Sequence, residues 1–153
     1  MQESMKCIVF GLAGEDFGVD VAQVMSIERM EEIVFVPKAP HFVKGIMNLR
    51  GSVIPVIDLR ERLSLPMKEQ TSETRLIVVR VHEQDVAFIV DSAHDVMDID
   101  GSQIDPTPRT FVSVDAAFLK GVAKLKEKLL VILSLENILA DHELVETAKI
   151  ARS

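Results

Sequence analysis

The sequence predicts an all-β fold with short helices: two small barrels packed together, followed by a C-terminal helix. Three observations carry this expectation. The chain repeats itself without gaps, since FVKGIMNLRGSVIPVIDLRERL at 42–63 aligns with FLKGVAKLKEKLLVILSLENIL at 118–139. Phe42/Phe118, Lys44/Lys120, Gly45/Gly121, Leu49/Leu125, Leu59/Leu135 and Leu63/Leu139 are identical in the two copies. Strand-like apolar runs broken by turn residues dominate the rest. A repeat of roughly 70 residues is too long for a solenoid unit and fits two pseudo-equivalent subdomains.

Residues 7–12 and 17–21 are apolar runs around Gly11, Gly14 and Asp16, which reads as a hairpin. Residues 75–81 and 86–90, around His82-Glu83-Gln84-Asp85, repeat it in the second half. CIVFGLAGEDFGVDV (7–21) and LIVVRVHEQDVAFIV (76–90) share one apolar pattern, and Val24-Met25-Ser26-Ile27 is expected to recur, after a short insertion, as Val96-Met97-Asp98-Ile99. Residues 52–59 are almost continuously apolar, as in a strand buried on both faces, and 129–135 are their counterpart. Short β units with frequent turns read as small barrels. Helical turns are expected at 21–25 and 58–63. Pro37, Pro40, Pro66, Pro106 and Pro108 fall in connections, where a missing N–H costs least. The polar stretch 67–73 reads as a linker between the halves. From Leu135 the spacing changes to a helical one through Ile138, Leu139, Leu144, Val145, Ala148 and Ile150, predicting one terminal helix or two short ones.

Composition excludes several functions. Hydrophobic residues make up 48%, enough for a core and too many for a disordered chain. A net charge of -7, with no Trp and no Tyr, argues against nucleic-acid binding, which needs a basic footprint and stacking platforms. No signal peptide and no apolar run of membrane-spanning length is present, so a soluble cytosolic protein is expected, with no direct membrane insertion. The single Cys7, inside an apolar run, is expected to be a buried small hydrophobe.

Catalytic and metal chemistry find no foothold. His41, His82, His94 and His142 show no metal-ligand spacing. There is no nucleophile elbow, and the glycines at 11, 14 and 18 belong to a hairpin rather than a phosphate loop. The acidic run Asp91, Asp95, Asp98, Asp100 and Asp105 lacks the ordering of a calcium loop and reads as a solvated edge. No cofactor is expected, and a binding module is favoured over an enzyme.

Binding candidates emerge where the two copies disagree. Asn48, Arg50, Gly51 and Pro55 stand opposite Lys124, Lys126, Glu127 and Val131. Asn and Gly tolerate turn geometry, and Arg50 between them is a planar cation suited to an interface. The competing reading is an internal strut from Arg50 to Glu28 or Asp58. Gly45 recurs as Gly121, which points to backbone geometry. Val24 and Ile27 are candidates for a partly exposed apolar patch, while Val19 and Val21 read as core. His41, at the head of the motif, is a further candidate for a partner contact.

These residues resemble the CheW family, the coupling proteins of bacterial chemotaxis. The resemblance rests on the 42–63 motif and extends through EDFGVDVAQVMSIE, TRLIVV, VAFIVDSAHDVMDI and the second copy, across roughly residues 5–140. It implies a single CheW-like domain over 1–153 made of two five-stranded SH3-like barrels. The first is expected at about 15–66 and the second at about 76–135, with the N-terminal strand and C-terminal helix packing across both. It also implies a non-catalytic adaptor. Such an adaptor joins the cytoplasmic tip of methyl-accepting chemotaxis receptors to the regulatory domain of the CheA histidine kinase. It would be monomeric when alone, and cytoplasmic but recruited to membrane receptor arrays. A same-fold adaptor of a non-flagellar chemosensory pathway is the alternative. Carried onto this chain, the receptor- and kinase-binding positions are Val24, Ile27, Gly45, Asn48, Arg50 and Gly51, with Pro55 and Asp58 completing the motif in binding or purely structural roles. Some family members carry an acid where Ser26 stands, so the partner of Arg50 is left open. A receiver domain, as in the related CheV proteins, would need roughly a hundred further residues.

Overall fold

A computed structural model describes residues 4–105 and 115–139. Its strands are β1 (Met5–Leu12), β2 (Glu15–Asp20), β3 (Val24–Arg29), β4 (Val43–Leu49), β5 (Ser52–Asp58), β6 (Arg75–Val81), β7 (Gln84–Val90), β8 (Ser92–Ile99), β9 (Ile104–Asp105), β10 (Leu119–Lys124) and β11 (Leu129–Leu133). Two short α-helices, α1 (Leu59–Arg62) and α2 (Leu135–Ile138), follow β5 and β11. Positions 140–153 of the expected terminal helix, with His142, Leu144, Val145, Ala148 and Ile150, lie outside the described residues, as do Pro106 and Pro108.

Three of the hairpins turn in two residues, both with positive φ: Ala13-Gly14 (51° and 80°), Arg50-Gly51 (49° and 88°) and His82-Glu83 (49° and 65°). This is the turn whose twist matches that of the flanking strands. The strands pair into a five-stranded sheet ordered β3-β6-β7-β5-β4 and a six-stranded sheet ordered β8-β1-β2-β11-β10-β9. The sixth strand is only two residues long, and a single bridge from Val34 to Ile46 holds its place in the smaller sheet. The whole is a mostly-β, two-sheet SH3-like fold.

Pairing does not follow the sequence halves at 15–66 and 76–135. The hairpin β6–β7 of the second half joins β3, β4 and β5, while β1–β2 joins the later strands. The parallel contacts Val56↔Ala87 and Val131↔Phe17 fix this exchange. Its physical basis is that both hairpins carry the same apolar pattern, so periodicity alone cannot assign either to a sheet. The smaller sheet is therefore one continuous stretch, 24–90, and the larger is drawn from both sides of it. The segment 67–73 joins α1 to β6 within the smaller sheet and is not the link between sheets. The crossings lie at 21–23 and 91.

The expected insertion in the repeat is also absent. Val24 pairs with Val79, Ser26 with Val78 and Ile27 with Ile77, while Ala93 pairs with Phe10, Asp95 with Val9 and Val96 with Ile8. Both sets carry a bulge at the same place, so Val24 corresponds to Ala93 and Ile27 to Val96.

The near-continuous apolar strands are buried on both faces, as their composition predicts. Ile8, Phe10, Phe17, Ile57, Ile77, Phe88, Val131 and Leu133 meet in one core shared by the two sheets. The alternate residues fill separate interiors: Cys7, Val9, Leu130 and Ile132 in the larger sheet, and Met47, Ile54, Val56, Leu76 and Val78 in the smaller. Each fully buried large side chain contributes about 1.5–3 kcal/mol. Cys7 is completely buried, and burial, with Asp20 adding to it, pushes its thiol up to about 11.

Candidate functional site

The F-x-K-G motif is explained by backbone geometry in both copies. The register slips between Val43 and Gly45, and again between Leu119 and Gly121, making each lysine the extra residue of a bulge. A Cβ on Gly45, at φ 152°, would lie 2.1 Å from the Val34 carbonyl oxygen, and one on Gly121 would lie 2.7 Å from that of Asp105. Glycine is required where the neighbouring chain crosses this closely.

The tip of β4–β5 is where the copies differ. Asn48 accepts a hydrogen bond from the Gly51 amide through Oδ1 at 2.9 Å, fastening the turn. The Arg50 guanidinium donates to Glu28 Oε2 at 3.2 Å. Glu28 lies opposite Leu76, whose side chain fills the interior of the smaller sheet, and in the other sheet the corresponding position is Met97. The Glu28 side chain is only 16% exposed, whereas that of Arg50 is 72% exposed. Arg50 thus closes one end of the sheet, from the tip of its last hairpin to its first strand, and still presents its charge to solvent. Of the two internal partners considered, the structure selects Glu28. Asp58 lies at the far end of β5.

The bulge in β3 decides how Val24 and Ile27 relate. Without it, two residues three apart would point to opposite faces. With it, Val24 opposite Val79 and Ile27 opposite Ile77 share the face turned toward the second sheet. Val24 is half-buried against the shared core, and Ile27 is 43% exposed. Met25, the extra residue, and Val53, opposite Asn48, are exposed apolar neighbours that sequence reasoning did not single out.

Pro55 is buried in β5, and Asp58 caps α1, accepting from the Arg60 amide at 3.0 Å and the Glu61 amide at 3.5 Å. Burial raises the Asp58 pKa against the opposing pull of those amides. Ser134, its counterpart, makes no such bond. Asp58→Ala is expected to cost about 0.5–2 kcal/mol through loss of the cap. Thermal melting measures this. The structure therefore joins Asn48, Arg50 and Gly51 in one turn, ties that turn to Glu28, the neighbour of Ile27 in β3, and packs Val24 on the shared core, while Gly45 sits at a bulge, Pro55 is buried in β5 and Asp58 caps α1.

Next to Asp58 lies a pocket of about 410 Å³ lined in part by Lys44, Arg60, Thr74 and Asp91. Arg60 Nε donates to Asp91 Oδ1 at 2.8 Å, and its Nη2 makes a second contact to Oδ2. Burial pushes the Asp91 carboxyl up, but the Arg60 hydrogen bond and the Ala13 amide outweigh it and hold the pKa below its usual value. A lowered carboxylate pKa stabilises the fold above the unfolded value of about 3.9 and loses that stability as pH falls through the folded value. Asp91→Asn should flatten this acid limb in melts run from neutral pH downward. An unchanged limb would assign it to other groups. Comparing the copies at Arg60 and Glu136, as at Arg50, would have flagged this pair.

Among the described residues, no three His, Cys, Asp or Glu side chains gather to hold a metal ion, and no helix is long and apolar enough to cross a membrane. His41 stands edge-on to Phe42, with ring centroids 5.4 Å apart.

The sequence model of the CheW-like domain matches residues 6–143. The chain belongs to the CheW-like domain family. It is 37% identical over 143 residues to the chemotaxis protein CheW of Bacillus subtilis, covering 94% of this chain and 91% of that one. It is 30% identical over 146 residues to CheW of Klebsiella aerogenes, covering 95% and 88%. The crystal structure of the scaffolding protein TtCheW from Thermoanaerobacter tengcongensis superposes with a TM-score of 0.83 at 34% identity, covering 94% of this chain and 92% of that one. The two-sheet CheW fold is thus present along nearly the whole chain.

Proposed function

We propose that this CheW-like protein is a non-catalytic adaptor that couples methyl-accepting chemoreceptors to the CheA histidine kinase in chemotaxis. The observation that carries the reading is the β4–β5 tip. Only the first copy places an exposed arginine there, tethered to β3 beside the exposed Ile27. Relatives named as chemotaxis CheW proteins cover nearly the whole chain, which supports the pathway.

In this reading Ile27, Val24, Asn48, Arg50 and Gly51 meet the receptor tip, and Gly45, Pro55 and Asp58 act by shaping the hairpin beneath them. The adaptor binds both partners at once and is held in the cytoplasm at receptor arrays. A receptor shift alters kinase activity to the extent that contacts differ between the two signalling states.

The test is sedimentation with receptor-containing membranes and purified CheA, with kinase autophosphorylation followed in parallel. Co-sedimentation together with ligand-dependent kinase activity is expected. Absence of binding to either partner refutes the reading. Within it, Ile27→Asp should weaken receptor co-sedimentation at least tenfold, the effect of one charge desolvated in an apolar contact. Unaltered sedimentation removes Ile27 from the docking face.

A further inference from the structure

The repeat relates residue 62 to residue 138, and at this pair the copies part company. Ile138 is fully buried in the shared core. Arg62 is half-buried, and its guanidinium carbon stands 4.9 Å from the Phe42 ring centroid and 5.0 Å from that of Phe118. Those two rings are themselves equivalent, one preceding β4 and the other preceding β10. Arg62 Nε also donates to the backbone carbonyl of Ile138 at 2.5 Å. A cation from α1, on the smaller-sheet side, therefore sits against paired aromatics from both sides of the seam and holds the end of α2.

An aliphatic side chain satisfies the fold at this position in the second copy, so packing alone does not call for arginine in the first. We propose that Arg62 is a positioning residue: its guanidinium, lodged between Phe42 and Phe118 and bonded to Ile138, fixes the relation of the two sheets at the α1–α2 side of their seam. The shared apolar core holds the sheets together without direction, whereas a planar cation between two rings and on one carbonyl has a preferred geometry. The inference goes beyond the docking reading and needs neither receptor nor kinase for its test.

The experiment compares the full chain with Arg62→Ile, which installs the second copy's own residue. Spin labels at Glu83→Cys, in the β6–β7 turn, and Glu127→Cys, in the β10–β11 turn, report the distance between the sheets. Cys7 is completely buried and escapes labelling. Amide hydrogen exchange is read in parallel. Arg62→Ile should broaden the distance distribution. It should also speed exchange at Asn137 and Ile138 about tenfold, while the amides of Val78 and Leu130, inside the separate sheets, keep their protection. An unchanged distribution overturns the proposal. So does exchange that accelerates equally at all four positions, because that marks a general loss of stability. If Arg62→Ile fails to fold, Arg62→Lys takes its place, keeping the charge but losing the planar fork. A broadened distribution with faster exchange confined to Asn137 and Ile138 then supports the proposal, and an unchanged distribution or uniform acceleration overturns it.

Discussion

Arg50→Glu is expected to abolish receptor co-sedimentation while leaving the protein folded. The salt bridge it destroys joins a largely exposed guanidinium to Glu28, and such pairs contribute about 0–1 kcal/mol. Placing two carboxylates side by side adds a repulsion of similar size. For a chain of this length, each kcal/mol shifts the melting temperature by roughly 2–4 °C, so only a modest fall is expected. At a docking surface the effect is larger, because a reversed charge facing a desolvated partner costs about 2–5 kcal/mol, or 30-fold and more in affinity. A large collapse in melting temperature with binding retained would make Arg50 a strut alone. Glu28→Ala separates the two contributions, since it removes the acceptor of the tether and leaves the exposed cation in place.

Gly45→Ala is expected to give the largest loss of stability of any single methyl group added in this hairpin. The new Cβ would stand 2.1 Å from the Val34 carbonyl oxygen, on backbone at φ 152°. Strain at an unfavourable φ costs about 1–3 kcal/mol, and overpacking adds about 1–3 kcal/mol. The Val34↔Ile46 bridge is the feature that must yield. Denaturant titration measures the loss, and amide exchange at Val34 and Ile46 shows whether that bridge opened. Gly121→Ala should be milder, because its contact to the Asp105 carbonyl is 2.7 Å. Of the two, only Gly45 has a positive φ, so backbone strain and the closer contact act in the same direction there, and equal losses would overturn both.

The sequence made local structure legible where local physics sets it. The apolar runs at 7–12, 75–81 and 52–59 are β1, β6 and β5, and their double-sided burial follows from having no polar face to expose. The motif turn and its arginine were equally readable, because at Arg50-Gly51 two segments of matching pattern put different residue types in the same turn. Sheet membership was not. Phe17 pairs with Val131 across more than a hundred residues, and nothing in β2 distinguishes that partner from the equally apolar β5. The bulge at Met25, which puts Val24 and Ile27 on one face, inserts a residue without a compositional signal. Arg62 was hidden for a third reason: its contacts reach the opposite sheet, so neighbours in sequence say nothing of them.

The interleaved sheets set an order of events during synthesis. The hairpin β1–β2 leaves the ribosome first and finds none of its partners, since β8 and β11 come later in the chain. At ~5–20 residues per second, the wait for β11 is on the order of ten seconds. Meanwhile residues 24–90 can close around Met47, Val56 and Leu76 without help from either flank. That nascent unit carries Ile57, Ile77 and Phe88 on an uncovered face, where the larger sheet will later lie. The middle of the chain thus becomes the template on which its two ends assemble. The hazard of aggregation is concentrated in the interval before β11 emerges.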